Sequence, residues 1–279
     1  MMAKLIVNAD DYGHTPGVSR GIREAHLRGI VTSTTTMMNM ATVGEALEEA
    51  RVYSPSLGIG VHLVLTTGSP VAPLAEVGTL VNSDGEFPGE EGLIERIHEI
   101  DLQQVRREWT AQVEKFVKIA GRNPDHLDSH HHAAYYSPEL CEIHLELAKK
   151  YHCGVRFPTE QVGMDILGGF PGDYARGCNT ANQALMARYN SARPDLFVKT
   201  FYDETCRVEY LMGIFNHLGS GTAELMCHPG YADEDLLLHS SYAQQRQREL
   251  EVLTHPQVMD GLNRYQIELV NYASLQAGE

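Results

Sequence analysis

A parallel α/β fold of the TIM-like (β/α) barrel type, with about seven strands, is what this sequence predicts. Three observations carry that expectation. Short apolar, β-favouring runs alternate with amphipathic helical stretches; no repeat, low-complexity run or charge block marks a linker; and acids and histidines gather just after the apolar runs. At 279 residues the chain suits one large α/β domain, 1–279, with a loop excursion at about 66–100.

Leu5-Ile6-Val7 is a short apolar run that stops at Asn8-Ala9-Asp10-Asp11-Tyr12-Gly13, the pattern of a strand buried on both faces. A helix follows over Pro16–Arg28, with Val18, Ile22 and Ala25 on one face and Gly29 as its stop. Residues 32–38 are β-branched and read as a second strand. Val43–Tyr53 is helical, closed by Ser54-Pro55, and 57–65 is a third strand carrying His62. Residues 66–92 lapse into Pro, Gly, Ser and acids, the composition of a lid over a site or of a variable surface insertion.

Leu102, Val105, Trp109, Val113, Phe116 and Ala120 then recur at helical spacing, which places Trp109 on a buried face. Residues 126–129 form a short strand or strand end. Ser137-Pro138 reads as an N-cap with proline at the first helical position, opening a helix to about Lys150. Val155-Arg156-Phe157 is another strand, ended by Pro158. Residues 163–180 are Gly-rich and predict a loop, with a helix over 182–189. Late strands fall at 196–201 and 223–227 around a helix near 209–218. A helix over 242–253 and a last strand at 265–270 complete the pattern.

Lys+Arg number 22 against 37 Asp+Glu, a formal net charge of −15, which argues against a nucleic-acid partner. Cys141, Cys153, Cys178, Cys206 and Cys227 contain no C-x-x-C and are odd in number, so reduced thiols are expected rather than a disulfide scaffold or zinc ribbon. The N-terminal apolar run stops at two acids without a cleavage site, and no apolar stretch approaches the roughly 18 residues of a membrane span. The expectation is a cytoplasmic protein with no membrane partner.

The strand ends organise the chemistry. Asp10-Asp11 follow the first strand and His62 lies near the end of the third. Asp128 and His130-His131-His132 end the next, Arg156 lies on the one after, and His228 follows Leu225-Met226-Cys227. In parallel β/α folds such ends share one face, where active sites sit. A lone histidine on a strand is usually a hydrogen-bonded core residue, but five strand ends bearing ionisable groups point to a site. One carboxylate with two imidazoles suits a divalent metal with open positions, and the ligand types favour Zn, Co, Mn or Fe over Mg. Of two adjacent acids, one can bind the ion while the other accepts a proton from an activated water. An Asx turn is the plainer reading of Asp10-Asp11.

Asn8-Ala9-Asp10-Asp11-Tyr12-Gly13, Gly60-Val61-His62-Leu63, His126-Leu127-Asp128-Ser129-His130-His131-His132 and Met226-Cys227-His228-Pro229-Gly230 closely resemble the motifs of the YdjC-like carbohydrate deacetylases. Residues 29–35 and Gly121-Arg122-Asn123-Pro124 add to the likeness, which runs from about Leu5 to Ile267. The resemblance implies a β/α barrel related to the polysaccharide deacetylases and hydrolysis of N-acetyl groups on short chitooligosaccharides such as diacetylchitobiose. It implies a metal, Mg2+, held by Asp11, His62 and His130. Asp10 would be the general base, His228 the general acid, and Arg156 the arginine that orients the base. A homodimer is implied in the same way.

Asp128 and His132 read as residues that orient the ligands, while His131 would point away if its segment is extended. Tyr12, Tyr135, Tyr136 and Tyr231 adjoin the motifs and are candidates for stacking on sugar rings. His26, His98, His144, His152, His217, His239 and His255 read as surface or capping residues. In one respect the sequence departs from the family, since Ala133-Ala134 stand where a further histidine is common, and sugar preference could differ there. A metal-dependent phosphoesterase is the competing enzymatic reading, opposed by the single motif cation, Arg156, and by the lack of a Gly-rich phosphate cradle. A non-catalytic sugar-binding protein would have lost the base or acid, yet Asp10 and His228 are both present.

Overall fold

Strand β1 (Ala3–Tyr12) is the hub of the computed structural model, which describes residues 2–275. One edge of β1 pairs in parallel with β7 (Gly221–Cys227) from Ala3 to Ala9. The other pairs first with β8 (Ile267–Leu269) and then with β2 (Ser33–Thr36). Partners on both edges satisfy its backbone, and burial of every side chain from Leu5 to Tyr12 explains why its apolar run needs no polar face. The remaining strands are β3 (Gly58–Leu63), β4 (His126–Ser129), β5 (Gly154–Val155) and β6 (Leu196–Val198). The sheet order is β5-β4-β3-β2-β1-β7-β6, with β8 branching from β1.

The helices, in chain order, begin with α1 (Pro16–Arg28), α2 (Val43–Tyr53), α3 (Gly89–Glu95) and α4 (Leu102–Ala120). Next come α5 (Pro138–Lys150), α6 (Glu160–Ile166), α7 (Gly172–Tyr189) and α8 (Val208–His217), then α9 (Glu234–His239), α10 (Gln244–Leu253) and α11 (Pro256–Arg264). Among the described residues no helix is long and apolar enough to cross a membrane. All five cysteines are buried and unbridged. The chain divides into two compact units.

The first unit comprises Met1–Thr36, Ala41–Gly60 and Arg193–Glu279. Its core gathers Leu5, Ile6, Val7 and Leu225 from the strands with Val18, Ile22 and Ala25 of α1. Thr15 caps α1 by accepting from the Val18 N–H, and Pro16 opens the first turn. Gly21 lets α1 press directly on the loop after β7: a Cβ there would lie 2.6 Å from the Gly230 Cα. The same loop is tied to α10 by the Gly230 N–H donating to the Arg246 carbonyl (3.1 Å). Both contacts fix the chain beside His228.

The second unit comprises Met37–Met40 and Val61–Ala192. Helix α4 buries Val105, Trp109, Val113 and Phe116, as its spacing predicts. On the same buried face Glu108 accepts from the Val71 and Ala72 N–H groups (2.9 and 2.8 Å), and Gln112 brackets Val64 through both its N–H and its carbonyl. The segment leaving β3, which carries His62, is thereby pinned to α4. Burial pushes the Glu108 carboxyl upward in pKa, against its hydrogen bonds to Gln112, Val71 and Ala72.

Several elements differ from the expectation. The excursion at 66–100 contains α3 as well as short turns, and the Gly-rich stretch 163–180 is mostly helical, in α6 and α7. Helix α7 hides from apolar periodicity because it packs through polar groups. Asn179 donates to the Glu160 carbonyl (2.8 Å) and Asn182 to that of Tyr135 (3.0 Å), both from buried positions. His144 is not a surface residue. It is buried on α5 with Nε2 3.3 Å from the Leu127 carbonyl, and burial brings its pKa down to about 4.

Candidate active site

The first unit presents two acids in succession because β1 ends irregularly. Its register with β2 shifts between Ala9 and Tyr12, and Asp11 takes a left-handed φ of +71°. Neighbours on a regular strand face opposite ways, so the break lets Asp10 and Asp11 depart from that alternation. A non-glycine residue in this conformation costs about 1–3 kcal/mol, a strain typical of functional positions. Both side chains are buried. Asp10 accepts from Asn8 Nδ2 (2.9 Å), which also donates to Thr35 Oγ1 (3.2 Å). Asp11 Oδ2 accepts from Arg246 Nη2 of α10 at 2.5 Å.

His228, just past β7, stands between two carboxylates. Its Nε2 lies 3.9 Å from Asp10 Oδ2 and its Nδ1 lies 3.8 Å from Glu249 Oε1. Glu249, fully buried on α10, also accepts the His228 backbone N–H and the Tyr242 hydroxyl, the latter at 2.5 Å. Burial, reinforced by Glu249, drives the Tyr242 pKa well above its ordinary value, so this hydroxyl stays a donor. Tyr202 stacks on Tyr242 with ring centroids 4.2 Å apart and meets His228 edge-on at 5.6 Å.

The second unit holds an imidazole cluster. His62 and Asp128 are register partners on β3 and β4. His62 Nδ1 lies 2.6 Å from Asp128 Oδ1, while Asp128 Oδ2 pairs with Arg156 Nη1 at 2.9 Å, and all three side chains are buried. Arg156 is itself held at its carbonyl by the Tyr135 hydroxyl. A carboxylate can only accept, so His62 Nδ1 donates to it, and Nε2 is the nitrogen a neutral imidazole would offer to a metal. That Nε2 lies 3.3 Å from His130 Nδ1.

His130 opens a tight turn rather than an extended segment. His131 and His132 both take left-handed φ values, +52° and +58°, and the Ala134 N–H donates to Ser129 Oγ (3.0 Å). His131 is exposed, His132 is half-buried, and Ala133 and Ala134 are fully buried inside the turn.

Of the tyrosines proposed to stack on sugar, Tyr12, Tyr135 and Tyr136 are buried away from a ligand, while Tyr231 is half-exposed. Tyr12 is wholly buried, donating to the Ala46 carbonyl (2.7 Å) and accepting from Arg23. Tyr231 is held against α1 by Glu24 and by Arg20 over its ring. Tyr135 and Tyr136 are buried too, the latter donating to Glu90 and the His131 carbonyl. Four residues that matter escaped the sequence reading: Arg246, Glu249, Tyr242 and Tyr202. A signal existed for three of them. Tyr242, Arg246, Glu249 and Leu253 fall at helical spacing, so two charged groups share a stripe with a buried leucine.

Asp and His side chains of metal-binding type are thus buried in both units, with His130 half-buried. The donor chemistry fits a divalent ion. An imidazole anchored through Nδ1 by a carboxylate, its Nε2 turned toward a second imidazole, is the arrangement that supports metal-ligating histidines. Carboxylate and imidazole together suit a borderline divalent cation.

Comparison with known proteins agrees in family and fold. The family model described as YdjC-like protein matches residues 4–264. A carbohydrate deacetylase of Enterococcus faecalis is 36% identical over 278 residues, spanning 98% of each chain. One of Thermoanaerobacter pseudethanolicus is 34% identical over 275 residues, 99% of this chain and 100% of the other. Among solved structures, an Enterococcus faecalis V583 protein provisionally described as a cellobiose-phosphate cleavage protein matches with a TM-score of 0.85 at 35% identity, over 99% of both chains. The Xyl-CE4 domain of a multidomain xylanase from the hindgut metagenome of Trinervitermes trinervoides shares the fold, with a TM-score of 0.50 at 8% identity. That match covers 98% of this chain and 89% of the domain.

Proposed function

The chain belongs to the YdjC-like family and is a carbohydrate deacetylase, and we propose that it removes N-acetyl groups from short chitooligosaccharides such as diacetylchitobiose. The observation that carries the reading is the His62–Asp128–Arg156 relay, which fixes His62 with its Nε2 beside His130. By family resemblance Asp11, His62 and His130 make the ligand set for one divalent ion, Mg2+. Such an ion would supply Lewis-acid polarisation of the acetyl carbonyl and a water acidified enough to attack it.

The residues of the chain do the rest. Asp128 and Arg156 hold the His62 ring in one orientation. Asp10, fixed by Asn8, accepts a proton from the attacking water. His228, backed by Glu249, delivers a proton to the nitrogen as the carbon–nitrogen bond breaks, so that acetate and a free amine leave. Arg246 pairs with Asp11 Oδ2 and keeps the strained end of β1 in place. A homodimer belongs to the same reading on resemblance alone.

Acetate release from diacetylchitobiose and related sugars, with and without chelator, tests the proposal. Activity lost to chelator and restored by added metal is the expected result, with elemental analysis identifying the ion. No release from any N- or O-acetyl sugar by the metal-loaded protein rejects it.

A further inference from the structure

The aromatic pair beside His228 takes no part in the proton transfers, yet it is built as a wall with one open side. Tyr202 is fixed at its backbone: its N–H donates to Thr205 Oγ1 (2.8 Å), and the adjoining Asp203 takes a left-handed φ of +50°. The Asp203 N–H donates to the Tyr242 hydroxyl (2.9 Å), which in turn donates to Glu249. The Tyr202 and Tyr242 rings lie within 7° of parallel, so one face of Tyr202 is covered. Tyr202 nevertheless remains 44% exposed, which leaves its other face to solvent while its edge adjoins His228. A surface tyrosine without a task is not held by its backbone, by one ring face and beside a proton donor together.

We propose that the open face of Tyr202 is the platform on which the sugar ring bearing the departing nitrogen stacks. The inference rests on the reading of His228 as proton donor to that nitrogen. With His228 in reach of the nitrogen, the ring bonded to it lies beside Tyr202, because the two side chains are in edge contact. A pyranose offers an apolar face of C–H bonds to an aromatic ring while its hydroxyls remain hydrated around the rim. The N-acetylated sugar of the proposed reaction is thereby held by its ring as well as by its amide. Tyr242 and Glu249 act as positioning residues for the platform.

Tyr202→Ala, Tyr202→Phe and Tyr202→Trp test this in the full-length, metal-loaded enzyme. Two readouts are needed: acetate release from the β-1,4-linked disaccharide of N-acetylglucosamine, and binding of the deacetylated disaccharide followed by saturation-transfer NMR. Alanine should raise KM about tenfold and weaken product binding by a similar factor, with little change in kcat. Phenylalanine and tryptophan, which keep an aromatic face, should stay near wild type in both. Wild-type KM and product binding in the alanine variant overturn the proposal, as does an equal loss in the phenylalanine variant, which would assign the effect to the hydroxyl. Sugar binding that depends on the Tyr202 ring, in a wild-type protein releasing no acetate, supports the platform and rejects the reaction. Acetate release indifferent to the ring rejects the platform and keeps the reaction.

Discussion

In the second unit one carboxylate, Asp128, is clamped from both sides by His62 and Arg156, and all three lie on or just after neighbouring strands. In the first unit two carboxylates are held separately, Asp10 by the amide of Asn8 and Asp11 by Arg246 from a helix 235 residues further along. The first arrangement fixes an imidazole and gives it no freedom to turn. The second leaves His228 at 3.9 Å from Asp10 and 3.8 Å from Glu249, spacings too long for hydrogen bonds and open to closure around a substrate. A rigid cluster suits ligation, where misplacement is costly. A looser pair of acid and histidine suits proton transfer, where distances tighten as the reaction proceeds. On this comparison, changes to Asp10 and His228 should alter turnover without altering metal content, and changes around His62 should lower metal affinity, with turnover recovered at high metal concentration.

The largest effect is expected at Asp10. Asp10→Asn keeps the shape of the side chain but removes the basic oxygen, and kcat should fall by about 10²–10⁴-fold. Metal content by elemental analysis should match wild type. Substantial residual turnover would remove Asp10 from the role of base, and loss of metal would move it into the ligand set.

Asp128→Asn should act on the other side of the comparison. An amide in place of the carboxylate no longer offers two acceptor oxygens to His62 and Arg156, so metal affinity should fall by about 10–100-fold. Activity should return in large part at high metal concentration. Arg156 would also be left buried without its countercharge, and breaking such a pair costs about 3–5 kcal/mol, so a lower melting temperature should accompany the weaker binding. A variant with unchanged metal affinity but reduced kcat at saturating metal would erase the distinction between the two units.

The two units also differ in how far their sites could be read from sequence. In the second, His62, Asp128, His130 and Arg156 all stand on or directly after short apolar runs, and strand geometry alone brings such positions to one face. In the first, Asp10, Asp11 and His228 were legible for the same reason. Arg246 and Glu249 were not, because they act from the buried face of α10, where a charged residue looks like a surface residue until its partner is known. Tyr202 carried no signal at all, being set by a turn whose conformation depends on Thr205 and Tyr242. Helix α7 was missed for a related reason, its packing resting on Asn179 and Asn182 rather than on an apolar stripe. The turn at His131 and His132 reversed the expectation of an extended segment, since two successive left-handed residues are not signalled by histidine.

Glu249→Gln carries the smallest of these effects and discriminates most finely. Glu249 accepts the His228 backbone N–H and the Tyr242 hydroxyl while facing the imidazole at 3.8 Å, so it holds the chain at His228 and places a carboxylate beside the ring. Glutamine retains one acceptor oxygen and the side-chain volume, so the fold and the bound metal should survive. With the imidazole less firmly held, kcat should drop about tenfold, a loss of little more than 1 kcal/mol in the transition state. Metal affinity should stay near wild type, because the ligands are not altered. Should metal affinity fall while kcat at saturating metal holds, α10 would be acting on the ion through Arg246 and Asp11 rather than on the proton donor.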